Sequence, residues 1–305
     1  MPRDVAQAQP QSGAGSVTPA VVVLAAVALT VWGATPLVTK VAVGSVDGVT
    51  VGLLRPVLSA LLSIPLALAM RLRLPWRGRD GVLLALSALG GFVIFPVLYS
   101  EGVERTSAAH AALIIAAAPV FTGLVVAAVE RRVPRRVWWL GVALALAGEA
   151  LLVGETLGFD QPGVTWQGDV LVIAAGFGAA FGYVAGGKLT QRHGTWAVTF
   201  WGLGVAGIAM LPVLLVTMDT GQLGRAGWDV WSAIAFVALA SSILAYLCWY
   251  SALARGGIAR VGAWQFAQPL IGVVLAALIL GDAVTLPLIA AAIAILGGVA
   301  ICQRS

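Results

Sequence analysis

Residues 260–271, RVGAWQFAQPLI, set Trp264, Gln265 and Gln268 immediately before Pro269 in an otherwise mostly apolar stretch. Proline lacks a backbone donor and frees the carbonyl near Gln265, so the helix is expected to open there. Polar backbone at that depth is tolerated only beside a cavity or protein partners. A matching break falls at Pro119, with His110 roughly 13 Å away along a regular helix. His110 is the one imidazole within an apolar run. It either bonds or titrates with a solute, or is a satisfied structural histidine near the outer mouth. The chemistry on offer is recognition by hydrogen bonds rather than bond making.

Aromatic residues recur at helical spacing nearby: Phe92, Phe95 and Tyr99 in one stretch, Ser242, Tyr246, Trp249 and Tyr250 in another. Such stripes line a cavity, pack a core, or form a belt at the membrane boundary, which Trp and Tyr favour. The substrate-contact candidates are Tyr99, His110, Tyr183, Trp264, Gln265 and Gln268. Trp32 and Phe181 are expected as paired gate-side aromatics, with Lys40, Tyr246 and Tyr250 along the gate or cavity wall. Lys40 reads as an outer gate or a snorkelling residue. Arg55 and Glu149 are deep formal charges, each costing roughly 2.5–3.5 kcal/mol near a bilayer centre. They pair if the second and fifth helices touch, and otherwise snorkel separately.

Catalytic constellations are missing. With only His110 and His193, H-E-x-x-H is impossible, and neither G-x-S-x-G nor a serine–lysine pair occurs within the apolar runs. Residues 182–189, GYVAGGKL, fall one residue short of a phosphate-binding loop and carry Leu189 where a metal-binding hydroxyl belongs. Residues 202–207, GLGVAG, match G-x-G-x-x-G inside an apolar run with no strand before it. Gly178, Gly182 and Gly186 instead form a four-residue ladder that lets two helix backbones approach. No enzyme activity, cofactor or metal is expected.

The elements that must hold these residues follow from composition. Of 305 residues 60% are hydrophobic and 10% charged, against roughly 25% charged in a soluble globular domain. Lipid is therefore the solvent. Apolar runs of helix length lie at about 19–43, 49–70, 81–103, 107–129, 137–154, 168–188, 195–217, 229–253, 260–281 and 284–302. The expected class is an all-α membrane protein of ten transmembrane helices. Fourteen of the 18 Lys and Arg fall on one side of that arrangement, which puts both termini in the cytoplasm. The net charge of +5 then reports topology and an anionic lipid surface, not nucleic acid. Cys248 and Cys302 read as inert buried thiols.

Sliding the chain by about 150 residues superposes its halves. Tyr99-Ser100 meets Tyr250-Ser251, Pro119 meets Pro269, and Trp32-Gly33 meets Phe181-Gly182. Five helices per half force the second copy to enter the membrane from the opposite side, giving an inverted repeat with matching gates around a central site. The organisation read is a tail at 1–18, repeats at 19–154 and 168–302, an external linker at 155–167, and a tail at 303–305.

With Trp32-Gly33, Ala118-Pro119-Val120-Phe121, Gln268-Pro269 and Leu280-Gly281-Asp282 in place, the chain resembles the drug/metabolite transporter superfamily, in particular its EamA-type exporters. Members usually carry Glu where this chain has Asp282. The resemblance, nearest to aromatic amino-acid exporters, implies ten helices and a cavity lined by the first, third, fourth, sixth, eighth and ninth. The function expected is a secondary carrier in the inner membrane that exports a small metabolite, amino acids first, by alternating access. A multidrug or nucleoside efflux carrier is the second reading and a channel the third.

Overall fold

The computed structural model describes residues 17–106, 111, 114–115, 117–131, 133–157, 165–268, 271 and 286–304. Among them all regular structure is helical, with no strand. In chain order the helices are α1 (Pro19–Ala42), α2 (Gly48–Ala69), α3 (Gly78–Arg105), α4 (Ala118–Glu130), α5 (Arg136–Leu157), α6 (Trp166–His193), α7 (Thr195–Thr217), α8 (Trp228–Gly256), α9 (Ile258–Gly262) and α10 (Leu286–Arg304). A six-residue surface helix, Thr220–Arg225, precedes α8. Six of the described helices, α1, α2, α3, α6, α7 and α8, are long and apolar enough to cross a membrane. Shorter apolar helices cover Ala118–Val129, Arg136–Gly148 and Ile289–Cys302.

Helix starts follow local sequence. Thr18 caps α1 by accepting from Val21 N, with Pro19 in the first turn where no donor is needed. Asp47 caps α2 through Thr50 N at 2.8 Å, and Thr165 caps α6 through Gly168 N at 3.2 Å. The sharp passage from α6 to α7 turns on Gly194, whose φ of +78° suits a residue without Cβ.

Two helices are irregular in the same way. α3 widens to a π-helix over Ala88–Ile94, and α8 does so over Phe236–Leu244, roughly 150 positions later. A π turn loosens the backbone ladder and leaves carbonyls for other donors. Side chains from across the bundle take them. Tyr246 Oη donates to Gly91 O (3.0 Å), Ser59 Oγ to Ala238 O (2.7 Å) and Trp32 Nε1 to Ser241 O (3.0 Å). Ser242 Oγ reaches back to Val237 O (2.8 Å).

α6 lies against the π segment of α3 with backbone on backbone. A Cβ at Gly182 would stand 2.5 Å from Gly91 N, and one at Gly90 would stand 2.5 Å from Gly178 O. Of the glycine ladder, Gly178 and Gly182 serve this close approach, while Gly186 makes room for the Tyr250 ring. α10 packs along α5 through Gly141 and Gly298 in the same manner. The main buried cluster gathers Trp32, Phe92, Tyr183, Tyr246, Trp249 and Tyr250 from α1, α3, α6 and α8.

Candidate functional site

Between α1, α3, α4, α6 and the segment after α9 lies a narrow cavity. It is walled by Trp32, Thr35, Phe95, Tyr99, Ile115, Ala118, Ala179, Tyr183, Gln265 and Gln268. About 20 Å³ of it is open to the centre of a water-sized sphere, room for about one water. In this conformation the cavity is too small to hold an organic molecule. A larger groove of about 410 Å³ between α4, α9 and the start of α5 is walled mainly by apolar side chains such as Val126, Val133, Trp138 and Phe266, and lacks converging amides and tyrosines.

Each wall is positioned by an identifiable local cause. Residues Ala263–Ala267 form a 3-10 turn that follows α9 directly and carries Gln265 and Phe266 inward. Gln265 is 3% exposed and its Oε1 has no hydrogen-bond partner, while the Tyr183 hydroxyl interacts with the Gln265 and Tyr246 side chains. Gln268 Nε2 donates to Trp32 O at 3.2 Å. Tyr99 stacks on Phe95, with centroids 5.1 Å apart and planes at 21°. Within the same lining Trp32 stacks on Tyr183 at 5.7 Å, and behind it meets Tyr246 (5.3 Å) and Trp249 (5.5 Å) edge-on. Edge and offset contacts of this kind add about 0.5–1.5 kcal/mol per pair beyond burial. Tyr250, further along α8, has its hydroxyl at 3.0 Å from Ser87 Oγ and donates to Gly182 O at 3.2 Å.

The structure thus brings Tyr99, Tyr183, Gln265 and Gln268 together with Trp32, and puts Tyr246 and Tyr250 behind them. Trp264, half-buried, packs on the hydrophobic clusters and is not among the cavity walls. Phe181 is not brought to Trp32. It is 52% exposed, because it lies two residues before Tyr183 and a two-residue step turns a helical side chain about 200°. Tyr183 takes the position expected of Phe181. Pro119 sits in the first turn of α4 after a turn at Ala117, the place where a missing donor does no harm. Lys40 Nζ donates to Val103 O and Thr106 O, both at 2.8 Å, tying α1 to the end of α3. His110, Pro269 and Asp282 lie outside the described residues, as does the Glu149 side chain.

Arg55 is left by hydropathy with two placements, snorkelling or a pair with Glu149, whose side chain lies outside the described residues. It does not snorkel: it is 1% exposed, with its guanidinium carbon 5.7 Å from the Phe95 ring centre and Nη2 near Ser241 Oγ (3.3 Å) and Ser242 Oγ (3.4 Å). The signal available in the sequence was the Ser241-Ser242 pair on a helix otherwise apolar at that level. The phenols of Tyr246, Tyr99 and Tyr183 lie within electrostatic reach of it.

Comparison with known proteins adds a family to this geometry. The sequence profile of the EamA-like transporter family matches twice, over residues 19–154 and 166–302. Uncharacterized transporter YdeK of Bacillus subtilis (strain 168) is 32% identical over 269 residues, 87% of this chain and 91% of the relative. A probable amino-acid metabolite efflux pump of Salmonella typhimurium (strain LT2) is 28% identical over 195 residues, 62% of this chain and 64% of that protein. A solved crystal structure superposes with a TM-score of 0.74 at 19% identity, covering 94% of this chain and 98% of the other, a likeness of fold.

Proposed function

The chain belongs to the EamA-like transporter family and is a membrane transporter, not an enzyme; from that premise we propose that it is a secondary carrier exporting amino acids, aromatic ones included, by alternating access. The observation that carries the proposal is Gln265 Oε1, a buried acceptor without a partner in the wall of a cavity built from Trp32, Phe95, Tyr99 and Tyr183. An ammonium group supplies the donor that Oε1 lacks, and an apolar or aromatic side chain suits the rings. The likeness to a probable amino-acid metabolite efflux pump supports the same class.

In this reading the chain spans an inner membrane ten times with both termini in the cytoplasm. Two inverted five-helix units then rock about the cavity. The paired π segments of α3 and α8 support such a repeat, since each unit carries the same irregularity at the same relative place. The contracted cavity suits a carrier better than a channel, which needs a continuous wet path.

The test is competitive counterflow in proteoliposomes with labelled amino acids, nucleosides and a lipophilic cation. Saturable uptake, accelerated by unlabelled aromatic amino acid inside, is the expected result. Acceleration by nucleosides or the cation alone transfers the protein to the second reading. Unsaturable flux without counterflow makes it a channel.

A further inference from the structure

We infer that Arg55 is an anion-binding residue of the transport cycle, the group that takes the carboxylate of the solute when the cavity opens. Resting on the amino-acid reading above, the inference names the second charge that a solute must bring. Arg55 is sealed within the bundle at 1% exposure, and none of the ion pairs among the described residues includes it. Two of its three nitrogens, Nε and Nη1, donate to nothing. The third, Nη2, makes only long contacts, 3.3 and 3.4 Å, to the hydroxyls of Ser241 and Ser242.

A guanidinium held away from water is stabilised chiefly by an opposite charge with matching acceptors. Neutral hydroxyls and one aromatic face compensate it weakly, so the guanidinium keeps donor capacity for an anion. Its place in the fold identifies the visitor. Phe95, over which the guanidinium stands at 5.7 Å, forms one wall of the cavity. Thr35 forms another, and its Oγ1 lies 3.1 Å from the Ser241 Oγ that also faces Arg55. Arg55 is therefore one side chain behind the cavity, on the α2–α8 side, whereas Gln265 Oε1 approaches from the segment after α9. A zwitterion spanning the two presents its carboxylate to Arg55 and its ammonium to Gln265. A simple amine satisfies only one end.

The experiment uses the full-length protein in lipid nanodiscs, titrated with L-phenylalanine, L-phenylalaninamide and phenylacetate and read by tryptophan fluorescence, with L-phenylalanine counterflow in parallel. The two acids should bind at least about tenfold more tightly than the amide. Arg55→Gln should erase that difference, and Arg55→Lys, which keeps charge without the planar fork, should weaken the acids while leaving the amide unchanged. Equal binding of acid and amide by the wild-type protein overturns the inference, as does a preference that survives in Arg55→Gln. The wild-type comparison stands even where Arg55→Gln fails to fold. Phenylacetate binding through Arg55 without phenylalanine counterflow removes the amino-acid reading and keeps the anion site. Phenylalanine counterflow with no acid preference does the reverse, and no binding by any probe ends both.

Discussion

Tyr246 donates its hydroxyl hydrogen to the carbonyl of Gly91 at 3.0 Å, so a side chain just after one π segment fills the backbone vacancy of the other. The bond ties α8 to α3 at the level of Trp32, where Phe92 also meets Tyr246 at 4.5 Å. Tyr246→Phe keeps the ring contacts and leaves Gly91 O without this donor. A buried orphaned carbonyl argues for a loss of up to about 3 kcal/mol, but hydrogen bonds between helices in lipid average nearer 0.6, so we expect about 1 kcal/mol. Thermal unfolding in detergent measures it, and an unchanged midpoint means that the π carbonyl finds another donor.

The contact of α6 with α3 predicts a sharper effect. At Gly182 an added methyl meets Gly91 N at 2.5 Å and Gly91 Cα at 2.7 Å, both backbone atoms that have nowhere to go. At Gly224 the same methyl has no neighbour within 4 Å. Gly182→Ala should therefore cost about 1–3 kcal/mol by forced separation of the two helices and abolish transport, while Gly224→Ala is neutral. Comparable folded yield and flux for the two variants sinks the packing argument.

These two sites mark what could be read beforehand. Membrane class is legible because composition fixes the solvent, and α7 runs over 195–217 in sequence and structure alike because Gly194 and a continuous apolar run bound it. The glycine ladder was legible as a packing face for the same reason: four-residue spacing puts its members in one line. Azimuth was not. Hydropathy gives depth along a span, and α6 is apolar around most of its circumference, so it does not say which of Phe181 and Tyr183 faces Trp32, nor whether Arg55 snorkels or turns inward. The π segments have no sequence signature beyond Gly90-Gly91 and Pro96 in α3, and the second lacks even those.

Lys40 supplies a test of access. Its ammonium bridges Val103 O and Thr106 O, so it holds the far end of α3 against α1. Lys40→Met keeps the stem and removes both bonds. With Cys248→Ala and Cys302→Ser clearing the native thiols, Ser100→Cys provides a buried reporter one residue from the cavity wall. Labelling by a membrane-impermeant maleimide should rise by about tenfold in Lys40→Met, equivalent to about 1.4 kcal/mol of lost closure. An unchanged rate assigns Lys40 to anchoring alone.

Gln265 sets stability and activity against each other. Its Oε1 is buried without a partner, a state that costs free energy in the empty protein and is relieved only when a donor arrives. Gln265→Met keeps length and volume, removes the orphaned acceptor, and forgoes the interaction of Gln265 with the Tyr183 hydroxyl, which retains Tyr246 as a neighbour. The folded empty protein should thus be as stable as wild type or up to about 1 kcal/mol more so. Transport should fall by about tenfold or more, because the substrate ammonium loses its acceptor. Parallel measurement of unfolding midpoint and amino-acid counterflow separates the outcomes. A variant that loses stability and activity together makes Gln265 a packing residue; one that keeps its activity removes it from the binding site.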